Sequence, residues 1–236
     1  MMLSLLLSIA LADEAGDAWL AKVDTANNAG DDAHIVLDLK VTDKKGETAE
    51  RTIEIWQKGE DKRLVRFTAP ARLEGVGLLV PDGETVYLYL PTYERAKRVT
   101  GDQRSDAFLG TDFSIGDLSQ VEWVPEYTAV VEQDEGAELR LLLTPNDPKA
   151  HAHASVRMWV RKTDNLPSKI EYLDAAGQPL RRLTLSGYRD AGPRPIAHHL
   201  KVEDLEKGTW TEATVDEAVF DKGLEDDLFT LRELER

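Results

Sequence analysis

The chain has no cysteine among its 236 residues, only 7% aromatic residues, and too few bases to balance its acids: 29 Lys and Arg against 44 Asp and Glu. Without cysteine there are no disulfides, no thiolate–zinc sites, no cysteine nucleophile and no lipid-modified N-terminal cysteine. The net charge of −15 argues against a nucleic-acid binder or a polybasic membrane-surface protein. No apolar run reaches the roughly 20 residues of a membrane-spanning helix. HExxH and G-x-S-x-G are missing, and Gly75-x-Gly77 lacks the third glycine of a dinucleotide-binding turn. No repeat of fixed period is present. What the chain does have is apolar residues, 42% of the total, which suffices for a core and is too many for a disordered chain.

Met1 to Ala12 reads MMLSLLLSIALA, an uncharged apolar run that ends in the small-x-small pattern Ala10-Leu11-Ala12 before acidic sequence from Asp13. The expectation is an export signal cut after Ala12, although the run has no basic start. Residues 13–236 contain no Pro-, Gly- or Ser-rich linker, so they are expected to form one domain.

Ala18, Trp19, Val23 and Ala26 recur at helical spacing and predict a short helix over 15–28. From Ala33 the period switches to two: Ala33, Ile35, Leu37, Leu39 and Val41 alternate with polar residues. Similar segments bounded by Gly, Pro or Asn follow at 52–58, 63–68, 76–80, 85–90 and 95–99. Residues 102–121 break the rhythm, with helical turns expected at 105–109 and 114–118, the second capped by Ser114 with Asp117 at the capping-box position. Strands resume after Pro125 and continue to about residue 220, and a short acidic helix or turn is expected near 225–229. With no long helix between strands, parallel units are excluded, and a curved antiparallel sheet of about 10–11 strands with a few short helices is expected.

Such a sheet has two large faces and few helices to cover them. Closure into a barrel, helices laid across the concave face, or a bound apolar ligand would each serve. Alternation alone leaves these open, beside the plain reading of a fully packed core.

The middle of the chain resembles the family of outer-membrane lipoprotein-sorting proteins, with the LolA/LolB-type fold. Arg66-Phe67-Thr68-Ala69-Pro70 with Gly75-Val76-Gly77-Leu78-Leu79 is similar to that family's RF-x-x-P … G-x-G-LL stretch. Leu88-Tyr89-Leu90-Pro91 followed by Arg95 to Val99 resembles its YLP hairpin, and Gly110-Thr111-Asp112-Phe113-Ser114 with Asp117-Leu118 resembles its DF-S-x-x-DL turn. The N-terminal helix and the Leu224–Leu231 tail match more loosely. The resemblance implies an incomplete β-barrel around a few helices, an apolar cavity for acyl chains, and an exported periplasmic carrier of lipid or lipoprotein working beside an inner-membrane transporter; a soluble, non-lipidated monomer is expected, since no second apolar run is long enough for a membrane and no cysteine follows the signal. It implies no enzyme activity, cofactor or metal. A second reading is a periplasmic sensor or adaptor that uses the same half-barrel to bind a membrane protein.

On this reading the cavity candidates are Trp56, Phe67, Leu78, Val86, Tyr87, Leu88, Tyr89, Phe108 and Phe113, each of which could equally be core. Gly110, Asp112, Ser114 and Asp117 would fix the loop at the cavity mouth, the carboxylates accepting backbone N–H bonds. Arg95, Lys97, Arg98 and Arg104 form a basic cluster that could meet a headgroup or simply face solvent. Residues 203–236 carry twelve acids against four bases, a solvated face by default. His151-x-His153 and His198-His199 lack a third ligand at telling spacing, so no metal site is assigned.

Overall fold

The structure, a computed structural model, describes residues 2–236, and for residues 2–13, 102 and 135 the backbone alone. The expected export signal at 1–12 lies outside the fully described residues. Helix α1 (Met2–Asn27) leads into β1 (Asp32–Thr42), β2 (Thr48–Lys58), β3 (Lys62–Ala69), β4 (Gly77–Val80), β5 (Tyr87–Tyr89) and β6 (Lys97–Arg98). A segment over 99–126 follows, carrying a 3-10 turn (Gly101–Ser105) and α2 (Ile115–Ser119). Then come β7 (Tyr127–Glu135), β8 (Glu138–Pro145), β9 (Ser155–Arg161), β10 (Pro167–Leu173), β11 (Pro179–Asp190), β12 (Pro195–Asp204) and β13 (Thr209–Phe220). A 3-10 turn (Asp226–Phe229) and α3 (Leu231–Leu234) close the chain.

All 13 strands form one sheet in the order β6-β5-β4-β3-β2-β1-β13-β12-β11-β10-β9-β8-β7. Every neighbouring pair is antiparallel, as two-residue and short-loop connections demand. Two runs of meander therefore meet where β1 pairs with β13, register Ala33↔Phe220 to Thr42↔Trp210. The sheet does not close: β6 and β7 are its free edges, and the 99–126 segment carries the chain from one edge to the other across one face. The count exceeds the expected 10–11 because β7 ends in Glu132-Gln133-Asp134-Glu135, whose polarity hides a strand that β8 pairs through a register break at Val131/Gln133.

Alternation decides the faces. Leu37 and Leu39 of β1, Ile53 of β2, Val65 and Phe67 of β3, and Val215 of β13 turn to the inner face and pack against Phe108, Phe113, Ile115 and Leu118 of the crossing segment. On the other half of that face, Leu20 and Val23 of α1 pack with Leu141 of β8, Met158 of β9 and Ile170 of β10. Full burial of each such side chain contributes about 1.5–3 kcal/mol. On the outer face Leu64, Leu79 and Tyr89 are covered by Phe229 and Leu234 of the C-terminal segment. The rest of the outer face carries a charge ladder: Glu132 pairs with Arg140 (2.6 Å) and Arg157 (2.8 Å), and Glu171 with Arg182 (2.9 Å). The partly exposed Glu132 pairs add little stability each, whereas Glu171 is buried and held by Arg182.

Candidate functional site

The crossing segment is shaped by its turn residues. Gly110 takes φ +74 and Leu109 φ +50, so the chain doubles back and Phe108 N–H donates to the Phe113 carbonyl at 2.8 Å. Ser114 and Asp117 then form the capping box of α2: Asp117 N–H donates to Ser114 Oγ at 3.0 Å, and Ser114 N–H to Asp117 Oδ2 at 2.7 Å. Two orphan donors of the helix start are thereby satisfied.

Polar tethers fasten this segment to the sheet. Asp112 accepts from Thr211 Oγ1 at 2.8 Å and from Thr209 Oγ1, both on β13. Arg63 of β3 donates to the Leu118 and Gln120 carbonyls and to Gln57 Oε1. Its guanidinium is buried without a carboxylate, and burial, aided by Arg194, pushes its pKa down to about 10. Asp117 accepts from Tyr172 Oη at 2.7 Å and pairs with Arg181 of β11. Burial pushes the Asp117 carboxyl up, but Arg181 and the hydrogen bonds outweigh it and hold it below the ordinary carboxylate value.

Between the two halves of the inner core lies a polar knot around a hollow of about 40 Å³. Tyr127 Oη stands 3.2 Å from His151 Nδ1 and 3.0 Å from His153 Nε2. Arg104 pairs with Glu126 at 2.6 Å beside them. Burial, then the neighbouring His151, pushes His153 down to about 4, and burial lowers His151 as well. Both imidazoles are thus neutral near pH 7. They sit in the loop before β9 rather than on a strand, and among the described residues no three His, Asp or Glu side chains are placed to hold one ion.

The nine cavity candidates separate between the two faces. Phe67, Leu78, Val86, Phe108 and Phe113 share the inner core, with Leu88 half-buried against it. Phe67 and Phe108 are in ring contact, centroids 5.2 Å apart. Trp56, Tyr87 and Tyr89 lie on the outer face under the C-terminal segment. The reason is the pleat: Tyr87 and Tyr89 alternate with Leu88, so one strand feeds both faces. None of these nine residues lines a described hollow. The largest of the described hollows, about 770 Å³, is a polar trough on the outer face, across β11, β12, β13, β1 and β2, with Asp38, Lys40, His199, Lys201 and Glu212 on its walls. A more apolar groove of about 440 Å³ lies between α1 and two hairpin turns. Of the basic cluster, Arg95, Lys97 and Arg98 are exposed, while Arg104 joins the polar knot. One of the tail's acids ties it to the sheet edge: the exposed Glu235 accepts from Ala96 N–H at 2.8 Å.

Arg63, Arg181, Tyr127 and Tyr172 do not stand out in a scan for catalytic motifs. Their signal is positional. Arg63 is in phase with Val65 and Phe67, and Arg181 with Leu183, so each is a charge on an apolar strand face, which demands a buried partner.

The sequence and the fold both have relatives. A family model whose description reads only "-like: Uncharacterized protein" matches residues 59–236. No curated protein matches the chain. Among solved structures, a domain provisionally assigned as an outer-membrane lipoprotein-sorting protein from Vibrio parahaemolyticus is 26% identical, with a TM-score of 0.85 over 95% of this chain and 100% of that one. A DUF1329 family protein from Desulfovibrio piger has a TM-score of 0.85 at 22% identity, covering 94% of this chain and 99% of its own. A LolA superfamily protein from Nitrosomonas europaea has a TM-score of 0.75 at 20% identity, covering 91% and 97%. The chain belongs to the family matched over residues 59–236, and that family has the LolA-type fold of outer-membrane lipoprotein-sorting proteins.

Proposed function

We propose that this protein is an exported periplasmic carrier that takes the acyl chains of a lipid or lipoprotein onto the inner face of its sheet and passes them toward the outer membrane, with an inner-membrane transporter as donor. One observation carries the reading: the apolar inner face is roofed by a crossing segment of short turns, held by a few tethers from Arg63, Thr209, Thr211 and Arg181. When that roof lifts, acyl chains replace Phe108 and Phe113 against Phe67, Leu78 and Val86. Each methylene transferred is worth about 0.8 kcal/mol, largely matched by the membranes at either end. Binding of this kind is non-directional and needs no acid, base or nucleophile. Asp117, the most deeply buried carboxylate of the segment, is committed to Arg181, Tyr172 and the α2 cap. The kinship with a lipoprotein-sorting domain supports the same reading.

The test is lipid extraction and mass spectrometry on protein purified from its own periplasm. A stoichiometric diacyl or terpenoid ligand is expected. An empty protein that co-purifies with a membrane protein would instead make it an adaptor. The chain's lack of cysteine makes a second test clean: Asp112→Cys with Thr211→Cys, oxidised, pins the roof to β13 and blocks lipid uptake, and reduction restores it.

A further inference from the structure

Arg194, in the turn between β11 and β12, carries a guanidinium with no hydrogen bond and no ion pair among the described residues. Its Nε is buried without a partner, and its guanidinium carbon stands 5.3 Å from the Phe220 ring centre. Two groups act beside it, and neither supplies an anion: Tyr188, whose hydroxyl donates to the Pro167 carbonyl, and Arg63, a cation committed to the Gln120 carbonyl. Asp32, which lines the small hollow behind Arg194, is already occupied by the N–H groups of Lys222, Gly223 and Leu224. Arg194 as a whole is half-buried, so this is a cation with no anion of the protein on it and with room for one from outside.

Arg194 also forms one wall of the groove of about 440 Å³ between α1 and the turns at 164–166 and 193–195. The remaining wall is mostly apolar: Ala21 and Ala26 of α1 face Leu166, Pro193 and Pro195, with Thr25 and with Lys22, whose ammonium lies over the Trp19 ring. The rim holds Asp164, paired with Arg161 at 2.8 Å. A slot of small apolar side chains ending in one free guanidinium is complementary to a chain with one negative end. We propose that this groove binds a single-chain fatty acid, its carboxylate on Arg194 and its alkyl chain along Ala21, Ala26, Leu166 and Pro195. The inference goes beyond the carrier reading, since it needs neither transporter nor lifting of the crossing segment, and either can fail without the other.

The experiment is calorimetric titration of the delipidated full chain with sodium dodecanoate below its micellar concentration, with dodecanol and acetate as controls. One molecule of dodecanoate is expected to bind, with both controls at least about tenfold weaker. Arg194→Gln should weaken dodecanoate by about tenfold, and Arg194→Lys by less. Arg194→Gln without ligand should melt close to the wild type, because no hydrogen bond or ion pair is lost. Ala26→Trp fills the slot with Arg194 intact and should abolish binding, which decides the matter if Arg194→Gln does not fold. The proposal is overturned if dodecanoate does not bind, if Arg194→Gln and Ala26→Trp bind it as the wild type does, or if acetate binds equally well.

Discussion

Gly16 of α1 and Ala129 of β7 meet backbone to backbone: a β-carbon built on Gly16 would stand 2.0 Å from the Ala129 carbonyl oxygen. Next to it, Asp17 Oδ1 accepts the Ala129 N–H at 2.7 Å. The helix thus lies along a free sheet edge and occupies a donor that another strand would otherwise recruit. Gly16→Ala should cost about 1–3 kcal/mol by overpacking, although alanine is the better helix former. Denaturant midpoints for Gly16→Ala and for the exposed control Ala18→Gly check this. An unchanged midpoint in Gly16→Ala would mean that α1 does not sit on β7.

Acid should weaken the fold well before the carboxylates titrate. His153 has a folded-state pKa of about 4 against an ordinary value of 6.5. The unfolded chain therefore takes up the proton first as pH falls. Stability from this group is full above about pH 6.5 and declines between 6.5 and 4, by roughly 3 kcal/mol at most. Asp117, held below its ordinary 3.8, contributes stability above that value and loses it only at lower pH. Denaturation midpoints from about pH 7 to about pH 4.5 should fall for the wild type and stay flatter for His153→Gln.

Leu88 and Tyr89 are neighbours with opposite duties. Leu88→Asp places a charge against the inner core and should reduce lipid uptake strongly. Tyr89→Asp should leave uptake largely intact and loosen the C-terminal segment, which packs on Tyr89 through Phe229 and Leu234. Uptake assays and amide exchange over 226–236 separate the two. Equal loss of uptake in both variants would contradict the face assignment.

Asp32 holds the start of that same segment. Its carboxylate accepts from Lys222 N–H at 2.9 Å, Gly223 N–H at 2.7 Å and Leu224 N–H at 2.9 Å. Asp32→Ala leaves three donors unmet and should cost about 2–3 kcal/mol, with faster amide exchange at Gly223 and Leu224 as its local signature. Exchange rates there that match the wild type would refute the role.

Period-two alternation made most strands legible: 209–220 was readable to the residue, because Thr211, Ala213 and Val215 alternate with Glu212 and Thr214. The crossing segment was legible as an interruption, and its Ser114–Asp117 cap as a motif. Which candidates share an interior was not, because Tyr87 and Leu88 differ in face by a pleat that only the register to β4 fixes. Nor was the knot around Tyr127, whose partners His151 and His153 arrive from beyond β8 in a loop without periodicity. The helix expected at 15–28 is the end of α1, Met2–Asn27, whose start falls in the uniformly apolar run read as an export signal.

β1 and β13, almost the full length of the chain apart, lie side by side at the middle of the sheet. Neither meander can therefore be stitched to the other until the last long strand has emerged, and a partly delivered polypeptide stays threadable. A topology of this kind leaves the two halves unjoined for as long as the chain is incomplete, so the sheet acquires its shape only when the whole length is present.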